Sequence, residues 1–442
     1  MAFTFVLTRP LMLMGFLNSL HGLLILMKVL LFAYEFPPVL SAQSLRWYYM
    51  ANELVKEGVE LDVVTPSFRD IWGFTPGFED LLSIYRCFPG PFIGFSGWVG
   101  SYRSAGVGSG SGSLSIPERL YRALRRGLDQ VLIPDLRTEW LPFAWREARR
   151  LNASRHYDLV ISSHEPGVDL LLGLRAQNDW GIPWIVDLAD PLVAPYTPRW
   201  RLRWDQALEG RVCHRADSIL VTTEAVGTLL ANRHGIPLDR FTLIRQGFDQ
   251  FWRDDGAAPA PPWPKDHLVL LFTGTLYQGF REPAPLIDAL VRLDGVFTLF
   301  VGDMGPFTED LSRLGNRVLL LGKLPHAVCL AWQRRADVLV NLGNRQDDQV
   351  PGKIYEYLGA CRPILHIASS VTDPVPALLG TLRRGRGVSA DPQAIVNLIR
   401  EYQVLWRNGT LDHSFDLSLD AVRDYSWTAQ AARLHGLMRG LL

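Results

Sequence analysis

"VPGKIYEYLGACRPIL", residues 350–365, sets a lysine and a glutamate three residues apart, between the apolar segments "ADVLVNLG" (336–343) and "PILHIAS" (363–369). The first apolar segment reads as a strand, and "NRQDDQV" (344–350) as the loop at its C-terminal end. Pro351 suits a first helical turn, and Pro363 helps to stop the helix after about Ala360. Lys353 then falls in the first turn, Glu356 one turn later and Asp348 in the loop. Free backbone N–H groups at a helix start attract anions, and a lysine there adds a point charge for a phosphate. A carboxylate on the same helix can accept two hydrogen bonds from a ribose diol, and phosphate plus ribose means a nucleotide. The spacing fits equally a solvated amphipathic helix with both side chains facing water.

Around this stretch the chain alternates. Going back, "HLVLLFTG" (267–274), a helix from about Glu282, "VFTLFVGD" (296–303), a helix, "RVLLLG" (317–322) and a helix from Pro325 precede it; helical stretches follow 369 to the C-terminus. An earlier series opens with "KVLLFAY" (28–34), a helix ending at Gly58 and "VELDVVT" (59–65). It resumes with "YDLVISS" (157–163), a helix near 167–178, "PWIVDLAD" (183–190), a helix near 201–215, "ADSILVTT" (216–223), a further helix and "FTLIRQG" (241–247). Alternating strands and helices imply mainly parallel sheets covered on both faces. The expected fold is α/β, with two doubly wound, Rossmann-like domains facing a cleft. The expected bounds are 1–26 for an N-terminal extension, 27–250 for the first domain, 251–266 for a hinge and 267–423 for the second domain. The hinge contains "DDGAAPAPPWPKD" (254–266), whose prolines cannot continue a helix or a central strand. Ligands of open α/β sheets sit beyond the C-terminal ends of the strands, so the site belongs in those loops.

Composition narrows the class. The 442 residues are 48% apolar and 20% charged, a globular balance. Lysine plus arginine equals aspartate plus glutamate at 45 each, which leaves no footprint for nucleic acid and makes any anion site local. Cys87, Cys213, Cys329 and Cys361 form no CxxC pair, which argues against a zinc site or redox dithiol and for small core residues in a reducing compartment. "LMLMGFLNSLHGLLILMKVLLF" (11–32) is long enough to span a bilayer but is interrupted by Asn18, Ser19 and His21. The simpler reading begins the first strand at Met27 and leaves 1–26 as an extension. Residues 66–115 are less regular; "GVGSGSGS" (106–113) reads as a linker or a substrate lid.

The opening stretch resembles the "P-x-K-x-x-E-Y-L-A-x-G-x-P-v-l" signature of GT-B glycosyltransferases, particularly family 4. Many members carry Glu-x7-Glu; here the spacing is kept as Asp348-x7-Glu356. Further segments agree over most of residues 27–442. "FAYEFPP" followed by Arg46 resembles the first strand and loop, and "PWIVDLADP" a "D-x-R-D-P-W" element with Ala189 and Leu192 substituted. "IRQGFD" resembles the segment before the hinge, "FTGTLYQGFREPAPLIDAL" the loop and helix that meet the donor diphosphate, and "YSWTAQAARL" the final helix. In this fold that helix, 424–442 here, returns to the first domain. One departure is the first loop, "EFPPVLSAQSLR", which has Ser41 and Ala42 where many relatives have a glycine pair for close approach to phosphate.

The resemblance implies transfer of a sugar from a nucleotide-sugar donor to a glycan or lipid-linked acceptor, with retention and no metal or other cofactor. Glu356 would hold the ribose and Asp348, one methylene short, the sugar hydroxyls. Lys353 and Arg281 would neutralise the diphosphate, with Gly274 and Thr275 lining the phosphate turn. In the first domain, His164 in "SSHEPG" binds the sugar, helps to organise the acceptor, or is a surface-loop histidine, and Glu165 shares that choice. Of Asp187 and Asp190, one serves the acceptor as orienter or base, or each caps a turn. His326 is expected to start a helix or pack locally. A cytoplasmic protein, peripheral to the inner face of the membrane, would suit such an acceptor; Trp72, Phe74 and Trp98 are candidates for that contact or for a core. A nucleotide-sugar 2-epimerase and a non-catalytic glycan- or nucleotide-binding homologue are the alternatives.

Overall fold

A computed structural model describes residues 27–68, 82–96, 134–194, 197–254, 256–345 and 350–442. Residues 11–26, the run 106–113, Trp72, Phe74, Trp98 and Asp348 lie outside the described residues.

The first sheet comprises β1 (Lys28–Phe32), β2 (Glu60–Pro66), β3 (Ser83–Cys87), β4 (Leu159–Ser163), β5 (Trp184–Asp187), β6 (Ser218–Val221) and β7 (Phe241–Leu243). They lie in the order β3-β2-β1-β4-β5-β6-β7. The second sheet has β8 (Leu268–Thr275), β9 (Val296–Asp303), β10 (Val318–Leu321), β11 (Val338–Leu342), β12 (Ile364–Ala368) and β13 (Gly385–Ser389), in the order β10-β9-β8-β11-β12-β13. All the strand pairings within these two sheets are parallel. Strand order reverses between β1 and β4 and again between β8 and β11, and the loops beyond those points are the ligand crevices of such sheets.

The unbroken apolar runs follow from burial on both faces. In β1, Val29 and Leu31 point into one core, while Leu30 and Phe32 point into another with Trp140 and Trp184. Val29 and Leu31 meet Trp427, Ala431, Leu434 and Met438, one stripe of the helix Trp427–Leu441. That helix therefore closes on the first domain as the resemblance implies. Ser426 caps its start by accepting from Ala429 N, and Thr428 Oγ1 donates to Glu53 at 2.6 Å on the helix Ala42–Lys56.

Three expectations need correction. β3 arises in the stretch read as irregular, as an edge strand too polar to show an apolar run. β13, "GRGVS", forms where only helices were expected. Its glycines permit the pairing: a Cβ on Gly385 would stand 2.0 Å from Ile364 O, and one on Gly387 2.6 Å from Pro376. The strand read as 241–247 ends at Leu243.

The proline-rich segment is strapped to the second domain. Arg335 Nε donates to Asp254 at 2.6 Å, and Trp332 Nε1 donates to Pro259 O at 2.9 Å. The chain crosses between domains beside its own return: Phe248 N donates to Tyr425 O, and Trp427 N donates to Phe248 O. The cysteines are unpaired, and Cys87 and Cys213 are buried.

Candidate functional site

The helix Lys353–Gly359 buries Ile354, Tyr355, Tyr357 and Leu358. Glu356 is 14% exposed and lines a cavity between the domains, with Tyr49 from the first domain, Phe248 and Asp249 from the crossing, His326 from the second domain, and Trp427. Oε1 of Glu356 accepts from Lys353 Nζ and from Gln333 Nε2, both at 2.6 Å; Oε2 lies 3.0 Å from His326 Nε2. This removes the solvated-helix alternative for Glu356. It also shows that lysine and glutamate meet each other in this state, where the sequence suggested separate tasks. Burial pushes the Glu356 carboxyl up, but Lys353 and His326 outweigh it and hold the group well below the usual carboxylate range. Burial likewise lowers the Lys353 ammonium, and the Glu356 charge more than restores it, leaving its pKa raised.

His326 does begin a helix, His326–Arg335, and does more than pack. Its ring holds Glu356 and sits edge-on to Tyr49 at 6.5 Å, while Tyr49 stacks on Trp427 at 5.7 Å. Gln333, on the same helix, was not singled out in the sequence. It also donates to Thr273 Oγ1 at 2.9 Å, and Tyr357 OH accepts from Thr273 N at 2.8 Å. The end of β8 is thus tied to Glu356 through buried polar contacts.

Gly274 and Thr275 are the last residues of β8, in register with Gly302 and Asp303. A Cβ on Gly302 would lie 1.9 Å from Gly274 O, so glycine permits two strand ends to approach. The turn comes after them: Arg281 N donates to Tyr277 O at 2.8 Å, with Gly279 at φ +76°. Arg281 precedes the helix Ala284–Leu290 and forks onto Asn344 Oδ1 through Nε and Nη2, at 3.1 and 2.7 Å, with Nη1 on Thr275 O at 3.3 Å. A guanidinium is thereby fixed between the loops that follow β8 and β11, and its burial lowers its pKa.

In the first domain, His164 follows β4 and is 4% exposed, so it is not a surface-loop histidine. Its backbone N–H donates to Asp187 O, its ring bonds the Asp190 backbone, and Nδ1 has no partner. Burial pushes the ring's pKa down, favouring the neutral form. Asp190 lies half-buried just beyond β5. Asp187 is removed as a base: it is fully buried, bound by Arg46 Nε at 2.8 Å and Nη2 at 3.1 Å, with Gln43 at 3.1 Å. Ser41 caps the helix Ala42–Lys56 by accepting from Ser44 N, so the glycine-free loop spends its hydroxyl on the helix. A buried acid absent from the sequence reading is Asp169. Its Oδ2 accepts from Tyr34 N, its Oδ1 has no partner, and burial pushes its pKa well up. Among the described residues, no group of three or more His, Cys, Asp or Glu side chains is placed to hold a metal ion, and no helix is long and apolar enough to cross a membrane.

Two parallel α/β domains, a cleft between them and a returning C-terminal helix define the GT-B fold. Residues 42–247 match the family described as "Glycosyl transferase 4-like domain". The chain is similar in structure to sucrose-phosphate synthase from Thermosynechococcus elongatus, at 16% identity and a TM-score of 0.67, over 94% of this chain and 99% of that one. HepE from Anabaena, in complex with UDP-glucose, gives 15% identity and 0.61, over 94% and 100%. A glycosyltransferase from Rickettsia africae gives 11% and 0.59, over 94% and 98%. No curated protein sequence matches the chain significantly.

Proposed function

We propose that this protein transfers a sugar from a nucleotide-sugar donor to a glycan or lipid-linked acceptor, with retained anomeric configuration and without a bound metal. The observation that carries the reading is Glu356, a carboxyl group held at the inter-domain cavity by three side chains. In this reading it accepts hydrogen bonds from the ribose diol. Arg281 and Lys353 offset the charge that grows on the diphosphate as the C1–O bond breaks with its electron pair going to phosphate. Gly274 and Thr275 let backbone approach the same group, and Asp348 reaches the sugar hydroxyls. The acceptor oxygen bonds C1 from the first-domain side, where His164 and Asp190 stand, on the same face as the departing diphosphate, and its proton passes to the diphosphate oxygen freed from C1. Closure of the domains excludes water and so suppresses donor hydrolysis.

HepE was solved with UDP-glucose, which makes UDP-glucose the first donor to try. Purified protein is incubated with UDP-, GDP-, ADP- and dTDP-sugars together with a lipid and glycan extract as the source of acceptor, and release of nucleoside diphosphate is followed with and without EDTA. Release with one donor, insensitive to EDTA, is expected. Free 2-epimerised sugar would indicate the epimerase, and no turnover of any donor would reject the transferase reading.

A further inference from the structure

Residues 197–215 sort their charges by face. Both acids of the stretch turn inward. Asp205 is fully buried on Arg201 at 2.7 Å, and Glu209 is fully buried on Arg233 and His234, both at 2.7 Å. The exposed side chains are Arg199, Trp200, Arg203, Trp204, Arg211 and a few uncharged or basic neighbours, with no carboxylate among them. Trp200 is 49% and Trp204 59% exposed. In a chain with equal numbers of acids and bases, such a face does not follow from composition. Its place matters too. The helix Leu202–Arg215 leads away from the C-terminal end of β5, so Trp200, just before its start, and Trp204, in its first turn, stand on the crevice side of the first domain.

We infer that this face docks on an anionic lipid surface and so presents the first domain to a membrane-borne acceptor. Indole rings favour the headgroup zone, where one edge is apolar and the other wet. Exposed arginines add attraction to anionic headgroups. A soluble polyanion without bases would use the arginines but give no reason for two half-exposed tryptophans beside them, and a chain of zero net charge lacks the footprint of a nucleic-acid binder. The acceptor clause rests on the transfer reading. The docking clause does not, because its test contains no donor.

The full-length protein is sedimented with phosphatidylglycerol–phosphatidylcholine vesicles and with pure phosphatidylcholine vesicles. Binding to the anionic vesicles alone is expected. Arg203→Glu with Arg211→Glu should weaken it roughly thirtyfold, and Trp200→Ser with Trp204→Ser roughly tenfold. Both double variants should keep the wild-type melting temperature within about 2 °C, since the changes are on the surface. Failure to bind anionic vesicles would overturn the inference. So would binding that survives the tryptophan changes and is abolished by soluble heparin, the mark of a polyanion site.

Discussion

Replacing Glu356 by glutamine keeps the shape of the side chain and removes its charge. The native carboxylate accepts from Lys353 and Gln333 at 2.6 Å, and His326 lies 3.0 Å from its second oxygen. A carboxylate accepts only, whereas glutamine presents one acceptor oxygen and one donor NH2. With the amide oxygen in place of Oε1, the NH2 faces His326 Nε2 and needs that nitrogen as an acceptor; turned over, the NH2 faces Lys353 and Gln333, both donors. Hydrogen bonds to charged groups contribute about 1.5–3 kcal/mol each, and breaking a buried pair by deleting one partner costs about 3–5 kcal/mol. Lys353 is 31% exposed and keeps part of its hydration, so about 2–3 kcal/mol is the expected loss. For a domain of this size, that lowers the melting temperature by roughly 4–12 °C. Differential scanning fluorimetry and urea titration read it. Lys353→Met should offset part of the loss in the double variant, because no charge is then stranded. A Glu356→Gln protein melting within about 1 °C of wild type, or strict additivity with Lys353→Met, would refute the reasoning.

The same carboxylate sets a pH window: its folded pKa lies below its unfolded one. The stability gap between wild type and Glu356→Gln should be fully present above about pH 4.3 and shrink as pH falls below it, read by urea midpoints across an acid series. Asp187→Asn leaves the fully buried Arg46 without its counter-charge and should cost about 3–5 kcal/mol in urea unfolding. Trp427→Ala removes a buried ring stacked on Tyr49 at the start of the returning helix. It should cost about 3–5 kcal/mol and let limited proteolysis release the C-terminal helix before the rest of the chain is cut.

The doubly wound fold was legible because central parallel strands, covered on both faces, appear as unbroken apolar runs such as "KVLLF" and "VLVNL". β3 and β13 were not, since an edge strand with polar residues and a strand built on two glycines lack that run. Glu356 was readable from its spacing to Lys353 on one short helix. Its other partners, His326 and Gln333, stand 30 and 23 residues away, and nothing in their local sequence names a carboxylate. Asp187 stood beside Asp190 as a candidate orienter, base or turn cap because the two flank a strand end. Its partner Arg46 lies 141 residues earlier, a pairing that only the tertiary fold shows.

The central claim is that a nucleotide binds between the domains with its ribose on Glu356. Isothermal titration of UDP, GDP, ADP and dTDP into the wild type and Glu356→Ala tests it most directly. One nucleotide should bind the wild type and lose roughly tenfold or more in affinity to the variant, as expected when a charged hydrogen-bond acceptor is removed. Equal affinity for both proteins, or no binding of any of the four to the wild type, would contradict the account.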